Sequence, residues 1–318
     1  RRPRLRQTKR QPPDAPRPEI RDYVTIWREE NIWSSHSRRI HAAISRGIVV
    51  SEIIVSTQDV QKINQITCRP PHALLIMADY GLDSKSVAQK IAKNSDIFHL
   101  TPLPDKQSIS VEQIRDLIAK LRTYAINRRT IIIDEADLMT ESSQNALLKA
   151  LEEPNKNTIF ILIAKNPKLM LDTIKSRCQT LTLHKTSSVQ DKKLLENYNL
   201  DSATIQQILF LAAGRPLLIR QLAENPDKFA EYRQLATDAK QILATNQEYT
   251  NLKNIAKYFT DRQKALILTD IIINMIRFQS LSHGMNSTLE KQLNQTTIVS
   301  KALNSNANAR LALMQLVL

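Results

Sequence analysis

The chain has 318 residues, 42% hydrophobic and 24% charged, which suits two or three folded domains around sizeable cores and excludes a wholly disordered polymer. Its formal net charge of +14 favours a polyanionic partner. The closest approach to a membrane span, "ALILTDIIINMI" (265–276), is short of the ~18–20 residues required and contains Asp270, so no membrane segment is expected.

The charge is unevenly spread. Residues 1–22 hold eight Arg/Lys against three Asp/Glu, and five of the thirteen prolines. Such a segment neither propagates a helix nor buries a core, so a disordered basic tail is expected: a solvated arm first, a nucleic-acid contact second. It lacks the apolar run of a secretory signal. It begins at Arg1 and not at Met, which reads as processing or a truncated reading frame. Residues 23–71 form a helical lead-in, with Ile40 and Ile44, then Val60 and Ile63, at helical spacing. Pro70 and Pro71 stop it.

From His72 the pattern changes. "HALLIMA" (72–78), "IFHL" (97–100), "TIIID" (130–134), "TIFILIA" (158–164) and "QTLTL" (179–183) are short β-rich runs. Helical stretches separate them. "SKSVAQKIAK" (84–93) puts Val87 and Ile91 on one face. "SVEQIRDLIAKLRTYA" (110–125) opens with a capping pair, Ser110 and Gln113, and its Ile114, Ile118 and Leu121 form the expected buried stripe. "TESSQNALLKALEE" (140–153) is closed by Pro154. Strands alternating with helices predict an α/β domain, a parallel sheet with helices on both faces. After about Thr186 the strands end. "DSATIQQILFLAAG" (201–214) ends a helix at Gly214, and Ile267, Ile271, Met275 and Phe278 form a stripe on a later one.

The strand "TIIID" ends on Asp134 and Glu135. In a nucleotide hydrolase such an Asp holds Mg²⁺ through water and the Glu polarises the attacking water. Phosphates must then be delivered by a glycine-rich loop whose backbone N–H groups wrap them and whose Lys pairs with them. The chain has only four glycines, none at that spacing. The loop position reads "ADYGLDSKS" (78–86). One register aligns Lys85 and Ser86 with the Lys-Ser/Thr pair but puts Asp79 and Ser84 where glycines belong. The other keeps Gly81 but puts Asp83 and Ser84 at the glycine and lysine positions. Either way an acidic side chain enters a loop meant for a polyanion. Cys68 and Cys178 stand far apart and the six histidines have no ligand spacing, which fits a reducing compartment. No metal and no resident cofactor is expected.

"DEADLMTESSQNALLKALEEP" followed by "TIFILIAKNPKLMLDTIKSRCQTLTL" resembles the clamp-loader branch of the AAA+ proteins, and "HALLIMADYGLDSKSVA" resembles the degenerate phosphate loop of a bacterial member of that branch. The resemblance spans roughly residues 50–318. It implies an AAA+ α/β domain over 23–186, a helical lid over 187–243 and an all-α collar over 244–318 that joins subunits in a ring. It assigns Arg177, flanked by Ser176 and Cys178, as an arginine finger reaching the γ-phosphate of ATP on a neighbouring subunit. Ala164 and Lys165 replace the polar residues expected to sense that phosphate. In "GRPLLIR" (214–220), Leu217 stands where a second sensor arginine is expected, with Arg215 and Arg220 displaced. Gly81, Ser84, Lys85, Ser86, Asp134 and Glu135 are then a vestigial nucleotide site. Lys149 is a candidate to face DNA, with a solvated helix face as the equal alternative. The implied partners are γ/τ-type ATPase subunits, the clamp-opening delta subunit, the sliding clamp and primed DNA, in the cytoplasm beside the nucleoid. The small four-cysteine zinc module of many members is absent. Two other readings stay open: a working AAA+ ATPase using Lys85 and Ser86, and a sequence-tolerant DNA-binding protein acting through the tail.

Overall fold

The structure, a computed structural model, describes residues 53–316 except 104–105, 107, 122–126, 156, 245–247 and 306. The basic tail and the Ile40/Ile44 pair lie outside the described residues.

Five strands, β1 (Ala73–Met77), β2 (Asp96–Leu100), β3 (Arg129–Ile133), β4 (Thr158–Ala164) and β5 (Gln179–Thr182), form one sheet in the order β2-β3-β4-β1-β5. Every pairing is parallel. The expected α/β architecture is therefore present. β4 is buried along its whole length and β2 is largely exposed at the edge, as all-apolar "TIFILIA" and mixed "DIFHL" require.

Alternate residues feed two cores. Leu75, Ile131, Ile133, Phe160 and Leu162 face α3 (Val111–Leu121) and α4 (Glu141–Glu152); Leu74, Ile76, Ile132, Ile161 and Ile163 face α1 (Thr57–Cys68) and α2 (Ser84–Ile91). Helices on both faces make three layers. The Ser110–Gln113 capping pair forms reciprocally, at 3.1 and 3.5 Å. Two helix phases differ from expectation. In α1, Ile63 and Ile66 are buried with Asp59 while Val60 is exposed. Asp59 turns inward because it accepts hydrogen bonds from the His184 backbone at 2.8 Å and pairs with His184 Nδ1 at 2.7 Å. In α3, Leu117 and not Ile118 completes the buried stripe with Ile114 and Leu121.

Among the described residues beyond β5 only helices follow: a short α5 (Asp172–Lys175) precedes β5, then α6 (Ser188–Leu195), α7 (Ser202–Ala212), α8 (Pro216–Glu224), α9 (Pro226–Ala244), α10 (Glu248–Ala256), α11 (Arg262–His283), α12 (Ser287–Asn304) and α13 (Ala309–Met314). α7 ends before Gly214, with Ala213 already left-handed at φ 48°. One continuous apolar core runs from Leu195 in α6 to Leu313 in α13, so the expected lid and collar segments share their interior. α11 has 22 residues and a mean hydropathy of 1.3 over its most apolar window, long and apolar enough to cross a membrane. Here its Leu268, Ile271, Ile272, Met275 and Ile276 are buried in that shared core, and its Asp270 pairs with Arg215 at 2.7 Å.

Candidate functional site

The carboxyl ends of β1, β3 and β4 meet above the sheet, where open α/β sheets place their ligands. The loop after β1 folds on itself. Leu82 N–H donates to the Asp79 carbonyl at 3.2 Å and Ser84 N–H to the Leu82 carbonyl at 2.9 Å. These two donors, which a phosphate cradle would present outward, are taken. Asp83, at the start of α2, is buried, which puts an acidic side chain where a phosphate loop has none.

The first turn of α2 carries Lys85 and Ser86, the place of the Lys-Ser/Thr pair in a phosphate loop. Lys85 Nζ reaches Asp134 Oδ2 at 2.6 Å. That hydrogen bond and the neighbouring charges of Asp134 and Glu135 raise the Lys85 pKa above its usual value against the opposing effect of burial. Asp134 also accepts from its neighbour's backbone, Glu135 N–H, at 3.0 Å. Glu135 has φ 51°, ψ 44°, a left-handed backbone that costs a non-glycine residue on the order of 1–2 kcal/mol. Its carboxylate pairs with Lys165 at the end of β4. The two carboxylates are thus each neutralised by a lysine of the same chain. Ala164 is buried in β4 opposite Met77.

α8 closes the space above the loop. Leu217 N–H donates to the Gly81 carbonyl at 3.0 Å, which satisfies one of the orphan donors of that helix start. Arg215 is buried and tied to Asp270, while Arg220 is half-buried on the same helix. Gly81 has φ +85°, and a Cβ there would stand 3.0 Å from Arg215 Cβ and 3.1 Å from Leu218 Cβ. Gly81→Ala is therefore expected to lower the unfolding free energy by more than the ~1–2 kcal/mol of the backbone conformation alone. Gly284→Ala, at φ +78° with open space around it, supplies the reference. Equal losses in denaturant unfolding would show that α8 does not press on the loop.

The second cluster lies at the opposite, amino-terminal end of the sheet, beside the start of β5. α5 ends at Ser176, whose hydroxyl donates to the Thr173 carbonyl at 3.1 Å. Two residues on, Cys178 is buried in the core beneath α4, and burial pushes its thiol up to about 11. A thiol of that kind stays protonated and unreactive, so Cys178 acts as an apolar anchor. Arg177 between them points outward, with NH1 donating to the Thr173 carbonyl at 2.9 Å and NH2 paired with Glu152 of α4. The spacing of Ser176, Arg177 and Cys178 has a local cause: a helix stop, a projecting cation and an inward plug.

Three residues that sequence reasoning passed over support these clusters. Asp137 accepts from Asn166 N–H at 2.9 Å, joining the turn after β3 to the turn after β4. Gln144 is buried and uses its whole amide, donating to the Met139 and Leu169 carbonyls and accepting from Leu171 N–H at 2.7 Å. It holds α4 against the segment leading to Arg177. Glu152 is the third. Only the Asp134-Glu135-Ala136-Asp137 run gave a visible signal. Lys149 is exposed on the last turn of α4, distant in role from either cluster. No group of His, Cys, Asp and Glu suited to a metal occurs among the described residues.

Residues 83–187 match the family model described as "DNA polymerase III, delta subunit". The DNA polymerase III subunit delta' of Bacillus subtilis is 28% identical over 244 residues, 68% of this chain and 73% of that one. The subunit delta' of Haemophilus influenzae is 32% identical over 180 residues, 46% of this chain and 53% of its own, so that match spans about half of that relative. A solved Thermotoga maritima protein related to the DNA polymerase III gamma subunit covers 81% of this chain and 97% of itself at 18% identity, with a TM-score of 0.46. The matched region contains the loop helix, both carboxylates and the Ser-Arg-Cys motif, and through it the chain is similar to DNA polymerase III delta' subunits.

Proposed function

We propose that the chain is a non-hydrolysing subunit of the DNA polymerase III sliding-clamp loader that lends Arg177 to an adjacent ATPase subunit. The observation that carries this reading is the self-filled nucleotide site. Lys85 and Lys165 neutralise Asp134 and Glu135, the loop donors are spent on the loop itself, and α8 rests on Gly81. Lys85 and Lys165 are thereby committed to carboxylates of this chain and not to a triphosphate. Arg177, by contrast, stands at the surface on a backbone pinned by Cys178 and Ser176. A guanidinium delivered in trans neutralises charge on the transferred γ-phosphoryl group without a nucleotide of its own.

In this role the chain has no ATPase activity alone and needs no cofactor. Its partners are γ/τ-type ATPase subunits, the delta subunit, the sliding clamp and primed DNA, in the bacterial cytoplasm beside the nucleoid. Residues 244–318 serve as the collar that joins it to the ring, and Lys149 faces the DNA backbone. Titration of the isolated chain with a fluorescent ATP analogue and Mg²⁺ tests the reading. The expected result is no saturable binding in the micromolar range. Saturable binding that Lys85→Ala abolishes would return Lys85 and Ser86 to the role of a working phosphate loop.

A further inference from the structure

Resting on the reading of Arg177 as a finger used in trans, we propose that Glu152 is its positioning residue: the carboxylate latches the guanidinium against this chain's own α4–α5 corner until a neighbour's triphosphate takes it over. Arg177 is held at two points, NH2 on Glu152 and NH1 on the Thr173 carbonyl, and the side chain remains 33% exposed. Two of the five guanidinium donors are engaged, so the group is aimed but not enclosed. The backbone on either side is fixed, by the Ser176–Thr173 bond and by buried Cys178. Only the Arg177 side chain has to swing for the arginine to change partner.

The position of Glu152 is itself informative. It lies in the last turn of α4, followed by Glu153 and Pro154. The helix dipole disfavours carboxylates at a C-terminus. Arg177 supplies an opposite charge in contact with this carboxylate. The pair is also weak enough to exchange. Glu152 is 47% exposed, and an exposed ion pair shifts an equilibrium by at most about fivefold. A phosphate, with more charge and a matched pair of oxygens, outcompetes it. While latched, Arg177 is unavailable to the neighbour. The apparent nucleotide affinity there is lowered by the fraction of time it spends on Glu152.

The test is a double-mutant cycle in the reconstituted loader with its γ/τ-type subunits, clamp and primed DNA. Glu152→Gln keeps size and hydrogen bonding but removes the charge. It is expected to lower KM for ATP by about two- to fivefold, with kcat within about twofold. In the Arg177→Ala background the same substitution is expected to leave KM unchanged, because there is nothing left to hold. A packing role for Glu152 would persist in that background. An unchanged or raised KM on Glu152→Gln alone, or an effect that survives the loss of Arg177, overturns the latch. If Arg177→Ala itself leaves the loader ATPase untouched, the finger reading falls and the latch with it.

Discussion

Arg177→Ala leaves the chain folded and assembled but cuts the DNA- and clamp-stimulated ATPase of the reconstituted loader by at least about tenfold. The loss stays below the ~10³–10⁵ of a sole finger, because other subunit boundaries keep theirs. Folding is spared because the contacts forfeited among the described residues are the half-exposed Glu152 pair, worth at most about 1 kcal/mol, and one bond to the Thr173 carbonyl. Cys178, which carries the local packing, is untouched. Arg177→Lys is expected to restore only part of the rate, since an ammonium lacks the planar fork that spans two phosphate oxygens. Asp134→Asn and Glu135→Gln in this chain act on a site already neutralised by Lys85 and Lys165, so their effect on loader turnover is small. The comparison of the two sets decides the matter. An essential acidic pair together with a silent Arg177→Ala would make this chain a motor hydrolysing its own nucleotide.

The strands were legible as short β-rich runs bounded by turn residues, and all five begin and end within about one residue of the run that announced them. The lack of any two glycines at phosphate-loop spacing is equally plain in the sequence, which holds four in all. What the sequence hid is contact across distance. Lys165 meets Glu135 across 30 residues, Leu217 meets Gly81 across 136, and Arg177 meets Glu152 across 25. Periodicity reports which face of a helix is apolar, and says nothing about which loop will meet it. The same limit explains Val60. Two helix phases of α1 look similar by hydrophobicity, and the choice falls to Asp59, whose bonds to His184 lie 125 residues away.

Removing residues 244–318 is expected to do more than abolish entry into the ring. α11 buries Leu268, Ile271, Ile272, Met275 and Ile276 in the core that also contains Phe229, Tyr232, Leu235 and Ile242 of α9. At ~1.5–3 kcal/mol for each large apolar side chain, those five residues of α11 contribute roughly 7–15 kcal/mol, an upper figure because unfolded chains already bury some surface. That is as large as the ~5–15 kcal/mol net stability of a whole domain. The truncated chain should therefore lose fixed packing in residues 187–243. The sheet should persist, because its two flanking cores are built from residues 63–183. Hydrogen exchange separates the two regions: fast exchange in α7, α8 and α9, and protection in β1, β3 and β4 as in the full chain. Limited proteolysis should cut first within 187–243. Protection of α9 equal to that in the full chain would show that the lid holds a core of its own, and would make lid and collar separable units.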